Sequence, residues 1–264
     1  MAIKEWKVFL TPYEQAVEEL KIKFRSIRKE YRRRNEYSPI EFVTGRVKEV
    51  ASILEKANKF NIPLDRIQYE MEDIAGIRIM CQFVDDINKV VELIRKRKDM
   101  TLLYEKDYVT NVKPSGYRSY HIVIKYQVNM ADGPHDILAE FQIRTLAMNF
   151  WATTEHSLNY KYKHNIPEDI RLKLKSAADS AFLLDEQMLE IKDEIKDAQK
   201  LFEIKSDLIS DIMNNILTLS SMGKIAEFTR YQNTLNRLIE EGEVSELNNL
   251  LEATQKSIEK YKES

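Results

Sequence analysis

Residues 72–83 read EDIAGIRIMCQF, an acidic pair and a glycine that lead into an apolar run. A short apolar run bounded by turn residues is typical of a buried β-strand. Similar runs recur downstream with helical spacing between them, which predicts an α/β (α+β) fold with a mixed sheet flanked by helices. The predicted strands lie at 77–83, 101–109, 119–128 and 136–144, and the predicted helices at 47–60 and 85–98. Asp85 predicts a helix N-cap, and Asp132-Gly133 predicts a turn between the last two strands.

The chain ahead of this sheet predicts one long basic helix at 11–34. Thr11 suits the N-cap, Pro12 suits the first helical position, and Glu14 has the spacing of a capping box. Apolar side chains then recur at intervals of three and four residues. One face of the helix should therefore join a core.

The C-terminal part of the chain predicts helices only, since all six prolines fall at or before Pro167. The predicted helices lie at 146–162 and 168–203, separated by a break at 165–167 and followed by two or three more that break near Gly223 and Gly242. We therefore expect a domain over 1–203, with its α/β core at 38–162. Residues 204–264 predict a helical extension for packing or oligomerisation.

The composition of the 264 residues is that of a globular protein, with 32% charged and 43% hydrophobic residues. A net charge of -2 gives no general attraction to nucleic acid, so such binding would need a local basic patch. The single Cys81 allows neither an internal disulfide nor a zinc cluster. No segment reaches the roughly 18 apolar residues that a membrane span takes. We expect a cytoplasmic protein without a membrane segment.

Lys48, Ser52 and Lys56 follow one another at intervals of four, which would place them on one helical face. Gly45 and Arg46 would lie at the N-terminal end of that helix, where the helix dipole favours anions. Two cations and a hydroxyl in a row suit a polyphosphate. An ordinary solvated helix face with two lysines fits the same pattern.

Asp73 and Arg78 lie at the start of the strand in the opening motif. Asp73 just precedes the strand, where a carboxylate can reach a bound cation, and Arg78 lies within it, where a guanidinium can contact a phosphate. The alternative is a helix end with a glycine cap at Gly76.

Residues 113–121 read KPSGYRSYH, a turn rich in hydrogen-bond donors. Tyr117 directly follows a glycine and could stack on a purine, while Lys113 and His121 lie near enough to meet its phosphates. A tyrosine beside a strand is also commonly just a core residue.

Residues 140–144 read EFQIR, and strand alternation places Glu140, Gln142 and Arg144 on one face. Such a face is either exposed to solvent or lines a site in which Glu140 acts as second metal ligand or base. One carboxylate from each of two strands, Asp73 and Glu140, is enough to hold Mg²⁺. This ion keeps water ligands and completes its shell with substrate phosphates.

Four strings occur in order, and each supplies part of a phosphoryl-transfer site: GRVKEVASILEK, EDIAGIRIMCQF, SGYRSYH and EFQIRTLAMNFWATTEHSLNYKY. Together they resemble the synthetase domain of the Rel/Spo alarmone enzymes, most of all the small alarmone synthetases of the RelQ type, over about residues 1–200. The resemblance implies a five-stranded sheet of nucleotidyltransferase-like synthetase fold. It also implies the stringent-response reaction, in which the ribose 3′ hydroxyl of GMP, GDP or GTP attacks the β-phosphate of ATP and AMP leaves.

The resemblance also implies roles for individual residues. The catalytic and Mg²⁺-binding residues are Asp73 and Glu140, and Glu140 is near enough in that family to accept the proton of the attacking hydroxyl. The ATP-binding residues are Arg46, Lys48, Ser52, Lys56 and Arg78. The guanine-nucleotide residues are Tyr117, as a stacking platform, with Lys113, His121, Gln142 and Asn149. A regulatory pocket for the product alarmone, between subunits of a homotetramer and open to competing single-stranded RNA, would use Lys21, Arg25, Arg28, Phe42 and Thr44.

The chain departs from long Rel enzymes, whose hydrolase domain has a metal site built on a His-Asp pair. The only His-Asp dipeptide, His135-Asp136, follows a Gly-Pro turn without acidic companions, so we expect synthesis without hydrolysis. The stretch after about Glu203 is longer than the RelQ type predicts. One alternative is a nucleotidyltransferase that attacks the α-phosphate, although its usual Gly-Ser turn and Asp-x-Asp pair are absent. The other is an RNA-binding or helical scaffold, which predicts no use for Asp73 or Glu140.

Overall fold

The structure, a computed structural model, describes residues 3–161 and 167–262. Its elements, in chain order, are α1 (Ile3–Arg33), β1 (Phe42–Val47), α2 (Val50–Lys59), α3 (Ile67–Glu70), β2 (Ala75–Cys81), α4 (Val84–Arg95), β3 (Thr101–Asp107), β4 (Tyr120–Met130), β5 (Gly133–Thr145), α5 (Leu146–Lys161), α6 (Glu168–Ser221), α7 (Ile225–Glu241) and α8 (Val244–Lys262). They belong to two compact units, Met1–Leu189 and Glu190–Ser264. The predicted end of a helix at Tyr162 and the break at 165–166 lie outside the described residues.

The first unit contains a five-stranded sheet in the order β1-β2-β5-β4-β3. The pair β2–β5 is parallel and the other three pairs are antiparallel, so the predicted mixed sheet is confirmed. The Asp132-Gly133 turn is confirmed as well, because Met130 pairs with Gly133 and this glycine has a φ of 124°.

The resemblance implies five strands, but the residue pattern did not locate β1, because it placed residues 45–47 at the start of a helix. Residues 42–47 pair with β2, and α2 begins only at Val50. Gly45 therefore lies in a strand and not at a helix N-terminus. A Cβ at Gly45 would lie 2.8 Å from Val17 Cγ1 and 3.1 Å from Ile77 Cδ1, so the glycine allows α1 to approach the sheet closely.

The first helix begins eight residues earlier than predicted, at Ile3 instead of Thr11. Thr11 Oγ1 donates to Lys7 O at 2.8 Å, which is a contact inside a helix and not an N-cap. Pro12 removes one backbone donor there, but Trp6 is buried and packs edge-on against Phe9 with ring centroids 5.5 Å apart. This aromatic packing stabilises the added turns despite the proline.

The core lies between one sheet face and helices α1 and α4. The predicted apolar stripe of α1 is confirmed by its buried residues, and Phe24 meets Phe141 of β5 with centroids 5.0 Å apart. Cys81 is buried in this core, and burial raises the pKa of its thiol. The prediction that Asp85 is an N-cap was wrong, because α4 begins at Val84 and Asp85 pairs with Lys89 at 2.8 Å.

The second unit consists of the end of α6 with α7 and α8, packed around a small core. Its buried residues are Ile212, Ile216, Leu235, Leu238, Leu247 and Leu250. The long helix continues 18 residues past its predicted end at Glu203, because neither proline nor glycine interrupts it before Gly223. The breaks near Gly223 and Gly242 are confirmed. None of the helices in the described ranges has the length and apolar character to cross a membrane.

A buried carboxyl group joins α6 to the start of α5 within the first unit. Thr145 Oγ1 donates to Asp185 Oδ2 at 2.6 Å and accepts from the Met148 N–H at 3.0 Å, as an N-cap does. Asp185 is 5% exposed. Burial raises its pKa from 3.8 to about 6, against the opposing effects of the Thr145 hydrogen bond and the charge of Arg118.

Asp185→Asn is expected to stabilise the first unit at neutral pH and not in acid. Because the folded pKa is raised, the free energy of unfolding of the wild type falls as pH rises from near 3.8 to about 6, and stays reduced above it. The gap between these pKa values corresponds to at most about 3 kcal/mol. Urea unfolding at about pH 4 and pH 8, followed by tryptophan fluorescence, measures this, since Trp6 and Trp151 both lie in that unit. Glu186→Gln, at an exposed neighbour, is the control, and an equal difference at both pH values would contradict the assignment.

Candidate functional site

The face of the sheet opposite the core, called here the site face, carries a group of polar side chains. Paired residues of neighbouring strands point to the same side, so cross-strand register defines two adjacent rows. The first row is Thr44, Arg78, Gln142, His121 and Lys106, and the second is Arg46, Gly76, Glu140, Val123 and Tyr104. The alternation predicted for 140–144 is confirmed, and it places Glu140 on the central strand β5.

Asp73 lies just before β2, as predicted, and two lysines neutralise it. Lys48 Nζ donates to its Oδ2 at 2.5 Å, and Lys56 Nζ lies 2.8 Å from its Oδ1. Burial opposes the charge on Asp73, but the two ammonium groups outweigh burial and hold the pKa of the carboxyl below its usual value. Asp73 is therefore ionised at neutral pH.

The row of three residues predicted for one helical face is only partly present. Lys48 precedes α2, and its backbone N–H donates to Ile74 O at 2.8 Å, so it shares no helical face with Ser52 and Lys56. Ser52 and Lys56 lie one turn apart in α2, and both are half-buried. Lys48 and Lys56 meet because both contact Asp73, and helical periodicity is not the cause.

Glu140 is enclosed by hydrogen-bonding groups. His121 Nδ1 lies 2.8 Å from its Oε1, and Gln142 Nε2 donates to its Oε2 at 2.7 Å. Burial raises the pKa of Glu140, but the hydrogen bond and charge of His121 and the hydrogen bond from Gln142 outweigh it, so the pKa lies below its usual value. Glu140 is therefore ionised at neutral pH, as a carboxylate that binds a cation must be.

Tyr117 is held by several neighbours and does not project from a free turn. Its hydroxyl accepts a hydrogen bond from Arg144 Nη2 at 2.6 Å and lies 2.8 Å from His121 Nε2. Lys113 Nζ lies 4.8 Å from the centre of its ring. Burial raises the pKa of the Tyr117 hydroxyl, against the opposing charge of Arg144. His121 thus connects Tyr117 to Glu140 through two hydrogen bonds.

A single cleft brings the two carboxylates together with positive charge. Its lining residues are Arg46, Asp73, Gly76, Arg78, Glu140 and Gln142. Burial and the charges of Arg144 and Arg46 lower the pKa of Arg78, so three guanidinium groups repel one another here. A bound polyanion would relieve that repulsion. Gly76 leaves the space between Arg46 and Glu140 free of a side chain.

The carboxylates fit a metal ion that takes few ligands from the protein. Over the described ranges, no three or more His, Cys, Asp or Glu side chains are arranged to hold an ion. Asp73 and Glu140 share the cleft, and the charge of Asp73 acts on Glu140. Asp73 Oδ1 is buried and, although Lys56 lies near it, accepts no well-directed hydrogen bond from a described residue. This suits a hard divalent cation that completes its shell with water and phosphate oxygens.

The predicted regulatory residues are divided between α1 and β1. Those on α1 make the hydrogen bonds Arg25 Nη2 to Val43 O (3.0 Å), Arg28 Nη2 to Glu41 Oε1 (2.9 Å) and Lys21 Nζ to Glu18 Oε1 (2.6 Å). Phe42 and Thr44 lie on the site face of β1, two residues apart. Asn149, predicted for the acceptor site, is half-buried on α5. The regulatory pocket stays a prediction.

Sequence reasoning left three residues of the site face without a role. Arg144 donates to Tyr117 and, at 2.8 Å, to Gln142, and the alternation from Glu140 was the signal that could have found it. Tyr104 hydrogen-bonds Glu72, and Lys106 Nζ donates to the Tyr104 hydroxyl at 3.3 Å. No local signal marks these two residues, because only the pairing of β3 with β4 brings them to the site face.

Comparison with known proteins gives a consistent result. Residues 45–165 match the family described as the region found in RelA/SpoT proteins. The chain is 57% identical to the GTP pyrophosphokinase YjbM of Bacillus subtilis (strain 168) over 202 residues, 76% of this chain and 95% of that protein. The structure of small alarmone synthetase 1 from Bacillus subtilis bound to its product pppGpp is 58% identical, covers 73% of this chain and 98% of its own, and gives a TM-score of 0.71. The structure of the same synthetase bound to AMPCPP is 54% identical, covers 73% of this chain and 98% of its own, and gives a TM-score of 0.65.

Proposed function

Because this chain belongs to the RelA/SpoT family and is a GTP pyrophosphokinase of the small, synthetase-only type, we propose that it makes alarmone by pyrophosphate transfer. The 3′ oxygen of GMP, GDP or GTP attacks the β-phosphorus of ATP. The bond from that phosphorus to the oxygen bridging the α-phosphate breaks, and AMP leaves with the oxygen. The observation that carries this proposal is the cleft that Asp73 and Glu140 line together with Arg46 and Arg78.

The ATP side of the reaction belongs to β1, α2 and β2. Lys48 and Lys56 both contact Asp73, so a cation that neutralises this carboxylate would free both ammonium groups for phosphate oxygens. Arg46 and Arg78 lie on the same site face and supply further positive charge where charge develops in the transition state. Ser52 lies one turn before Lys56 on α2 and would add a hydroxyl to the ATP site. The AMPCPP complex of the Bacillus subtilis synthetase supports an adenine-nucleotide site in this fold.

The acceptor side belongs to β4, β5 and the turn before β4. Tyr117 offers a half-buried ring for stacking on guanine, and Lys113 lies over that ring. His121, Gln142 and Asn149 complete the predicted contacts. Since His121 hydrogen-bonds both Tyr117 and Glu140, the guanine platform is connected to the carboxylate beside the reacting hydroxyl. The pppGpp complex of the Bacillus subtilis synthetase supports this assignment.

Mg²⁺ is the cation that we assign to Asp73 and Glu140. When bound, it would neutralise the phosphate oxygens and favour ionisation of the attacking hydroxyl. The chain itself would hold it with two ionised carboxylates, and Gln142 and His121 would orient Glu140. We assign the Glu140 carboxylate to metal binding and to acceptance of the proton of the attacking hydroxyl.

The other predictions from the family resemblance belong to the same proposal. Synthesis without hydrolysis is supported by the positions of His135 and Asp136, which pair with Asp132 at 2.9 Å and with Lys125 at 2.7 Å at an exposed hairpin. We further propose a cytoplasmic homotetramer that binds alarmone or single-stranded RNA at the regulatory residues. The rival scaffold hypothesis leaves unexplained why two carboxylates and two guanidinium groups line one cleft.

The test uses the purified chain, MgCl₂ and ATP labelled at either the α- or the γ-phosphate, with GMP, GDP and GTP supplied separately. Pyrophosphate transfer places the γ label in a guanosine product and the α label in an equal amount of AMP. Transfer of the α label to the acceptor would support the nucleotidyltransferase alternative. No labelled product with any acceptor, even with added pppGpp, would overturn the proposal and favour the scaffold.

A further inference from the structure

The turn that carries Tyr117 is fastened to α6 by the residues on either side of it. Arg118 Nη1 donates to Gly116 O and to Ala178 O, both at 3.4 Å, and its Nη2 donates to Asp179 Oδ1 at 3.2 Å. The Arg118 guanidinium carbon also lies 4.4 Å from the centre of the Phe182 ring. One turn of α6 therefore holds this guanidinium by its backbone, by a carboxylate and by an aromatic face.

Gly116 and Tyr117 pack against the same turn of the helix. Gly116 has a φ of 90°, and a Cβ there would lie 2.6 Å from Ala178 Cβ, so α6 comes as close as a glycine allows. Tyr117 packs on the cluster of Trp151, Ala152 and Ala178. Three consecutive residues, 116–118, thus lie against the part of α6 that includes Ala178.

The contacts of Arg118 are poorly suited to a role in stability alone. Its side chain is only 11% exposed, and its Nε is buried without a hydrogen-bond partner in the described part of the chain. A buried charge whose donors are incompletely satisfied contributes little net stability, because desolvation offsets the gain. The arrangement does fix a backbone turn, since the guanidinium joins the carbonyl groups of the turn and the helix.

We propose that Arg118 is a positioning residue for the guanine acceptor: by tying the turn at 115–119 to α6, it sets the place and tilt of the Tyr117 ring. The proposal rests on the proposed function of Tyr117 as the guanine platform. The ATP-side residues lie on β1, α2 and β2 or directly beside them, and none of the contacts of Arg118 described above involves these segments. Loss of Arg118 should therefore weaken binding of the guanine acceptor and leave ATP binding unchanged.

The first test compares Arg118→Met with the wild type in the Mg²⁺-dependent assay with GDP. We expect the KM for GDP to rise about tenfold, with the KM for ATP within about twofold, since a misplaced binding group impairs only the substrate it positions. In Arg118→Lys the KM for GDP should rise less, because the lysine can still pair with Asp179. Arg171→Gln, at an exposed residue of α6 that pairs with Glu168, is the control. Equal rises in both KM values would overturn the proposal.

A double-mutant cycle separates positioning from general support. If Arg118 acts through Tyr117, adding Arg118→Met to Tyr117→Ala should raise the KM for GDP by less than about twofold further. Additive effects would overturn the proposal. If Arg118→Met does not fold, Asp179→Asn replaces it in the cycle, because Asp179 is 55% exposed and its change leaves the core intact.

The same cycle distinguishes the two hypotheses. No effect of Tyr117→Ala on the KM for GDP would contradict the acceptor platform itself, and with it this inference. A strong effect of Tyr117→Ala with none from Arg118→Met or Asp179→Asn would contradict only the role of Arg118.

Discussion

Glu140→Gln is expected to lower kcat by about a thousandfold or more while the chain remains folded. Glutamine keeps the size of the side chain but removes the charge, which in the wild type is favoured by His121 and Gln142 strongly enough to lower the pKa of Glu140 despite burial. A neutral amide binds Mg²⁺ weakly and cannot accept the hydroxyl proton. Initial rates across a range of MgCl₂ concentrations measure the loss, and added Mg²⁺ should restore little of it.

Asp136→Asn is the matched control for this experiment. Asp136 lies on the same strand, and it is exposed and pairs only with Lys125 among the ion pairs of the described residues. Its change should leave kcat within about twofold, since exposed pairs contribute little. A kcat of Glu140→Gln within about tenfold of the wild-type value would contradict the role of Glu140 as a metal ligand. Glu140 would then be only a structural neighbour of His121.

Asp73→Asn is expected to separate ATP binding from turnover. In the wild type, Asp73 neutralises Lys48 and Lys56 at 2.5 and 2.8 Å, so phosphate groups must compete with it for both lysines. Without the carboxylate charge the lysines are free for ATP, and ATP binding measured without Mg²⁺ should match or exceed that of the wild type. Turnover should still fall by about a hundredfold or more, because one of the two metal ligands is lost. Calorimetric titration with ATP, beside steady-state assays, measures both quantities.

Asp65→Asn is the control, because Asp65 is an exposed carboxylate just before α3 and does not line the cleft. That variant should change neither ATP binding nor kcat by more than about twofold. If Asp73→Asn instead lost ATP binding in the absence of metal, Asp73 would be holding the two lysines in place for the nucleotide. The metal-ligand role proposed for Asp73 would then have to belong to another carboxylate.

Local patterns found much of the site because its residues follow local rules. Strand alternation alone separated Glu140 and Gln142 from Phe141, which is buried in the core. The acidic pair before an apolar run placed Asp73 at the entrance of β2. Patterns failed where two local interpretations compete: residues 45–47 were placed at the start of a helix, although they form the end of β1.

What the sequence by itself determined is the order of the elements from β2 to α5 and the side of β5 on which its polar residues lie, because periodicity and turn chemistry depend on neighbouring residues. The tertiary structure alone decided which strands are neighbours, how closely α1 approaches Gly45, and which residues of β3 and α6 reach the site. Those features depend on pairing register and on contacts between residues far apart in the chain. Arg118 illustrates the difference: its partner Asp179 lies 61 residues away, and no local pattern encodes that distance.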